Sequence, residues 1–117
     1  MTITPQNFSI LVGYGGAITF EVNSDTIDTL VNTTIWWRVY EQEFGIPVAG
    51  MLRASIIAKT NTTRDIEHTD SPLSFMVWMN KTDTIDLLGN YYHESTILSA
   101  LGEVVDSLFG TILIFKE

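Results

Sequence analysis

The amino-acid sequence predicts a single α+β domain over residues 1–117: an antiparallel or mixed sheet of about five or six strands, with one C-terminal amphipathic helix packed on a face. Three observations lead to this fold class. The chain of 117 residues has the length of one core, and hydrophobic residues make up 45% of it, as in globular proteins. Several short strand-like runs come first, and one long run with helical spacing comes last. A β-sandwich with a peripheral helix is the alternative.

Two alternating runs, at 8–12 and 17–22, predict the first pair of strands. The glycine-rich stretch 13–16 between them supplies positive φ angles, so we expect a hairpin turn there. A phosphate-binding loop would need a helix directly after the glycines, whereas the following residues alternate as a strand does.

The middle of the chain predicts further strands. Residues 35–40 are β-branched and aromatic, which favours a strand, with a short helix over 35–44 as the alternative. Residues 48–59 are compatible with one long strand, followed by a polar loop at 60–72. Another strand is expected at 73–79.

The C-terminal helix is expected at about residues 94–109, with Gly110 placed to end it and a last strand at 111–115. His93 and Glu94 would cap its start. The apolar residues with helical spacing are Ile97, Leu98, Leu101, Val104, Val105, Leu108 and Phe109. The opposite face would carry small residues, which suit either solvent or a close contact with another subunit.

Two aromatic doublets are candidate contact residues. Neighbouring side chains of a strand point to opposite faces, so one tryptophan of the first doublet should point outward, either to a partner or under the helix. Together with the small residues of the expected helix they form the candidate interface: Trp36, Trp37, Tyr91, Tyr92, Ser95, Ser99 and Gly102.

An internal similarity links residues 18–30 with residues 75–88. Each segment reads as a strand, an asparagine and then D-T-I-D-x-L, so each could end in a short helical turn capped by its first aspartate. Duplication and independent use of the same cap both remain open. The aspartates form a candidate acidic surface: Asp25, Asp28, Asp83 and Asp86.

Composition argues against several classes of function. The net charge is −8 and its acidic excess lies in the two ends of the chain, which disfavours binding to nucleic acid. Cysteine is absent, and neither His68 nor His93 belongs to a zinc pattern. No nucleophile motif is present either. We therefore expect no catalytic residues, no metal, no cofactor and no enzyme activity.

The leading hypothesis is a self-assembling structural protein, for example a component of a virus or phage particle, whose partners are copies of itself or other subunits. The cysteine-free composition, rich in threonine and asparagine, is compatible with it. One alternative is an acidic inhibitor of a basic, nucleic-acid-binding surface. The other is a small apolar ligand binder with a pocket lined by Trp36 or Trp37, Trp78 and Tyr91.

The sequence also makes predictions about location. No apolar run is long enough to span a membrane. The first five residues lack a basic region followed by an apolar one, so we expect no secretory signal peptide. Synthesis for the cytoplasm is therefore expected, and it is compatible with incorporation into a virion.

Overall fold

A computed structural model describes residues 3–5, 7–23, 26–41 and 55–117, and these parts of the chain are nearly all β. The strands are β1 Ile3–Pro5, β2 Phe8–Leu11, β3 Gly16–Glu21, β4 Thr34–Tyr40, β5 Ile57–Thr60, β6 Ile66–His68, β7 Ser74–Met79, β8 Gly89–Leu98 and β9 Val104–Phe115. Two short 3₁₀ turns, Asn61–Thr63 and Lys81–Asp83, follow β5 and β7. In these segments no helix is long and apolar enough to cross a membrane.

The strands form two sheets. The first sheet is mixed and curled, in the order β1-β9-β8-β4-β5, and β2 pairs with the same edge of β9 as β1 does. Both N-terminal strands run parallel to β9, while the other pairs are antiparallel. The second sheet is antiparallel, in the order β3-β7-β6. One hydrophobic cluster contains buried residues of both sheets, so the sheets share a core.

Alternation along the strands builds this core. On β4, Ile35, Trp37 and Val39 are buried, while the residues between them are half-buried on the opposite face. The register of β4 with β8 places Ile97 beside Ile35, and Phe20 of the second sheet lies 5.9 Å from Trp37 between ring centroids. A period of two is what a sheet with one buried face requires.

The predicted C-terminal helix is wrong. Residues 94–109 instead belong to β8, a turn and β9. The turn is closed by the Ser99 N–H, which donates to Glu103 O at 2.8 Å, and Gly102 adopts a φ of 81° there. A helix cannot contain this left-handed residue, and the β-branched residues on both sides favour strands. The predicted α+β fold class is therefore also wrong, because no described helix reaches seven residues.

Other expectations also need correction. The runs at 8–12 and 17–22 do contain strands, but β2 and β3 pair in different sheets and form no hairpin. The polar loop at 60–72 contains β6 and a 3₁₀ turn. The strand expected at 35–40 is confirmed as β4, and the alternative helix is wrong for the described residues 35–41. Of the long strand expected at 48–59, the structure shows β5, and residues 48–54 lie outside the described part.

The two similar segments meet in the second sheet. β3 and β7 pair antiparallel, with Thr19 opposite Met76, which are also equivalent positions of the two segments. Asp83 does act in a capping interaction, but from within the turn: its Oδ2 accepts the backbone N–H of Asn80 at 2.7 Å. Asp25, its counterpart, lies outside the described residues.

Candidate protein interface

A groove of about 520 Å³ separates β2 from β3. Within the described residues, the strands lie at the outer edges of the two sheets and each pairs on one side only, β2 with β9 and β3 with β7. The groove therefore opens between two sheet edges. We call it the edge groove, and its lining residues are Asn7, Phe8, Ser9, Ile10, Leu11, Tyr14, Ala17, Ile18, Thr19, Phe20 and Phe115.

Hydrogen bonds from Gly13 and Tyr14 fix the turn between the two strands. The backbone N–H of Gly13 donates to Thr84 Oγ1 at 2.9 Å, and the Tyr14 hydroxyl donates to Ala17 O at 2.9 Å. Gly16 has a φ of 149°, and a Cβ there would lie 2.9 Å from the Tyr14 hydroxyl oxygen. Only glycine fits this position, so the glycine-rich stretch serves to direct two consecutive strands into different sheets.

None of the described residues that line the edge groove is charged. Its inner wall consists of apolar and aromatic side chains, and Phe8 lies edge-on to Phe20 at 5.7 Å between ring centroids. The chain as a whole carries a net charge of −8. The groove thus lies in an uncharged part of an otherwise acidic molecule, and it suits an uncharged occupant.

An apolar patch adjoins the edge groove and consists of Leu11, Leu113 and Phe115. Leu11 lies opposite Phe115 in the register of β2 with β9, and Leu113 is two residues away on the same face of β9. These side chains are 38%, 44% and 39% exposed, respectively, so the patch presents three apolar side chains to solvent. Since Phe115 also lines the groove, the two features form one surface.

The structure separates the residues of the candidate interface. Trp36 and Tyr92 lie half-buried on the outer face of the first sheet, where the Arg38 guanidinium stacks on Trp36 at 4.5 Å. Trp37 and Ser95 are buried in the core, and Tyr91 is half-buried on their side of the sheet. Ser99 and Gly102 belong to the turn between β8 and β9. The small residues therefore share no helical face.

The four aspartates do not form one array in the described part of the chain. Asp28 and Asp86 are exposed. Asp83 forms an ion pair with Lys59, with 2.8 Å between Lys59 Nζ and Asp83 Oδ2. Asp25 is not described. The ion pair neutralises one of the charges on which the acidic-surface hypothesis depends.

The expected aromatic pocket is not formed. Trp37 is in the core, Trp36 is on the outer face of the first sheet, and Trp78 is exposed on the outer face of the second. The edge groove uses other aromatic residues instead. The sequence reasoning missed them because it treated β2 and β3 as a closed hairpin, whose edges would have been paired with each other.

Polar residues also occur in the core. His93, expected as a helix cap, lies buried within β8, where its Nδ1 accepts the Trp37 Nε1–H at 3.2 Å. Ser95 and Asp106 are buried on the same face of the sheet. Their full burial keeps a solvent-borne substrate away, so we interpret them as core residues. Within the described segments no group of three or more acidic or histidine side chains could hold a metal ion.

Ser95 provides a test of this interpretation. Its Oγ has no hydrogen-bond partner among the described residues, so Ser95→Ala removes an unsatisfied group. We expect the free energy of unfolding to stay unchanged or to rise by up to about 1 kcal/mol in urea denaturation. The matched control is Thr84→Val, which removes a buried hydroxyl that accepts the Gly13 N–H and should cost about 1–3 kcal/mol. Equal losses in both variants would show that Ser95 has an essential partner.

No protein-family model matches the chain, and no curated protein is significantly similar to it in sequence. The function must therefore be inferred from the chain's own surface.

Proposed function

We propose that this protein is a non-enzymatic structural subunit that assembles with copies of itself, or with other subunits of one assembly, through protein–protein contacts. The observation that supports this proposal is the uncharged surface formed by the edge groove and the apolar patch. A role in a virus or phage particle is one setting for such a subunit.

Electrostatics limit where a second copy of the chain can bind. Two molecules with a net charge of −8 repel one another over most of their surfaces. An uncharged, apolar surface is where that repulsion is weakest and where burial of side chains gains most. The edge groove and the apolar patch combine these two properties. The acidic-inhibitor alternative has no comparable support, because Asp83 is already paired with Lys59.

The native mass in solution tests the proposal. We expect light scattering to give a mass above the 13.1 kDa of one chain, rising with protein concentration and with salt, which screens the repulsion between copies. Leu113→Asp should lower this mass toward the monomer, since it places a charge in the apolar patch.

Val31→Asp is the matched control, because Val31 is 62% exposed in the turn before β4, at the opposite end of the first sheet. It should leave the mass unchanged. A mass of one chain at every concentration and salt would reject self-assembly. Equal effects of the two substitutions would reject the apolar patch as the contact.

A further inference from the structure

We propose that two copies pair along the edge groove about a two-fold axis, with β3 of one copy antiparallel to β3 of the other and β2 beside β2. This inference rests on the proposed self-assembly and adds its geometry. Each sheet then continues across the dimer, and the two grooves close on one another.

The first argument is a difference among the sheet edges. An unpaired strand edge is a template for pairing, and proteins usually protect it with charged side chains, including charges that point inward. β6 carries Glu67 and His68, and the edge strand β5 carries the inward-pointing Lys59. β2 has no charged residue, and β3 has none from Gly16 to Phe20. Charged protection is therefore sparser on the side of the edge groove, where β3 carries Glu21 at its end and the Tyr14 hydroxyl covers one backbone acceptor, Ala17 O.

The second argument is symmetry. β2 and β3 line the same groove and so lie on one side of the two packed sheets. A two-fold axis that crosses both sheets brings each strand antiparallel to its own copy, so one operation pairs both edges. Antiparallel pairing satisfies the free backbone groups at these edges, and Ala17 O, which already accepts from the Tyr14 hydroxyl, has a second lone pair for the partner strand.

The third argument is the position of the nearest charge. In a pairing centred on Thr19, the two Glu21 side chains lie about four residues apart along the strands, which is roughly 13 Å. This distance exceeds the screening length of about 8 Å at physiological salt. Their repulsion is therefore weak, and the centre of the contact contains the uncharged residues Ala17 and Thr19.

Disulfide cross-linking tests this geometry cleanly, because the chain has no cysteine of its own. Three single-cysteine variants report on the two edges: Thr19→Cys and Ala17→Cys on β3, and Ser9→Cys on β2. The matched control is Glu67→Cys. Thr19, Met76 and Glu67 form one row across the second sheet, so the control has an exposed side chain in the same row at the opposite edge.

We expect mild oxidation to convert most of the Thr19→Cys chains into a covalent dimer, because Thr19 lies opposite its own copy in this register. Ala17→Cys should stay near the background, since each Ala17 lies about 13 Å from its copy along the strands. The Ser9→Cys variant should also exceed the Glu67→Cys background if β2 pairs with β2. Cross-strand Cβ atoms in register are about 4.5–5.5 Å apart, close to the separation that a disulfide needs. A thermal melt of each reduced variant confirms that it folds.

The outcomes separate this inference from the proposed function. If the unsubstituted protein is larger than one chain but the groove variants cross-link no more than Glu67→Cys, edge pairing is wrong and self-assembly stands. If the unsubstituted protein is a monomer at every concentration, both are wrong. Preferred cross-linking through Glu67→Cys would also overturn the inference and place the contact at β6.

Discussion

Replacing Phe20 by alanine should lower the free energy of unfolding by about 3–5 kcal/mol, as expected for a large buried aromatic residue. Its ring lies 5.4 Å from Phe75 and 5.7 Å from Phe8, and it also contacts Trp37 of the first sheet. Phe20 thus joins the second sheet to the first, so the substitution opens a cavity between them. Urea or guanidinium denaturation followed by tryptophan fluorescence measures the loss.

Trp78→Ala is the control for this prediction. Trp78 lies on the neighbouring strand β7, but it is exposed on the outer face of the sheet. Its removal should cost less than that of Phe20, about 1–2 kcal/mol, because 41% of its surface stays in contact with water and its loss on the outer face opens no enclosed cavity. Similar losses for the two variants would mean that the sheets do not pack through Phe20.

Local pattern predicted individual strands better than it predicted the fold. The alternation at 35–40 predicts β4 with a helix as the alternative, because its β-branched and aromatic residues favour a strand, and the structure confirms the strand. The segment 94–109 was assigned wrongly because two strands and a turn placed apolar residues at spacings that a helix also produces. Gly102 was the available signal, since a glycine inside an expected helix indicates a break.

The candidate interface could not be predicted for a different reason. Whether a strand lies at an edge depends on pairing between residues that are far apart in the sequence, such as Phe8 with Ile112. A single sequence does not show that these two residues pair. The aromatic doublet of Trp36 and Trp37 suggests a contact surface in the sequence. In the structure, however, the sheet buries Trp37 and leaves Trp36 half-buried beside Arg38.

The ion pair between Lys59 and Asp83 should have the second large effect on stability. It connects β5 of the first sheet with the turn that follows β7 of the second, and the side chains are only 6% and 19% exposed. Asp83→Asn keeps the shape of the side chain but leaves the Lys59 ammonium buried without its counter-charge. We expect a loss of about 3–5 kcal/mol in the free energy of unfolding.

Substitution of the other partner of the ion pair, Lys59, should be milder. Lys59→Met replaces the buried ammonium by an apolar group of similar length, while Asp83 is partly exposed and still accepts the Asn80 N–H. The penalty of burying an unpaired charge is then avoided, and the loss should be about 1–3 kcal/mol. When Asp83→Asn is added to Lys59→Met, its own cost should fall below about 1 kcal/mol, because no buried ammonium remains. Denaturation of the four proteins gives the coupling energy directly. If the two single losses simply add, the sheets are not held together by this pair, and the loss in Asp83→Asn must come from the turn alone.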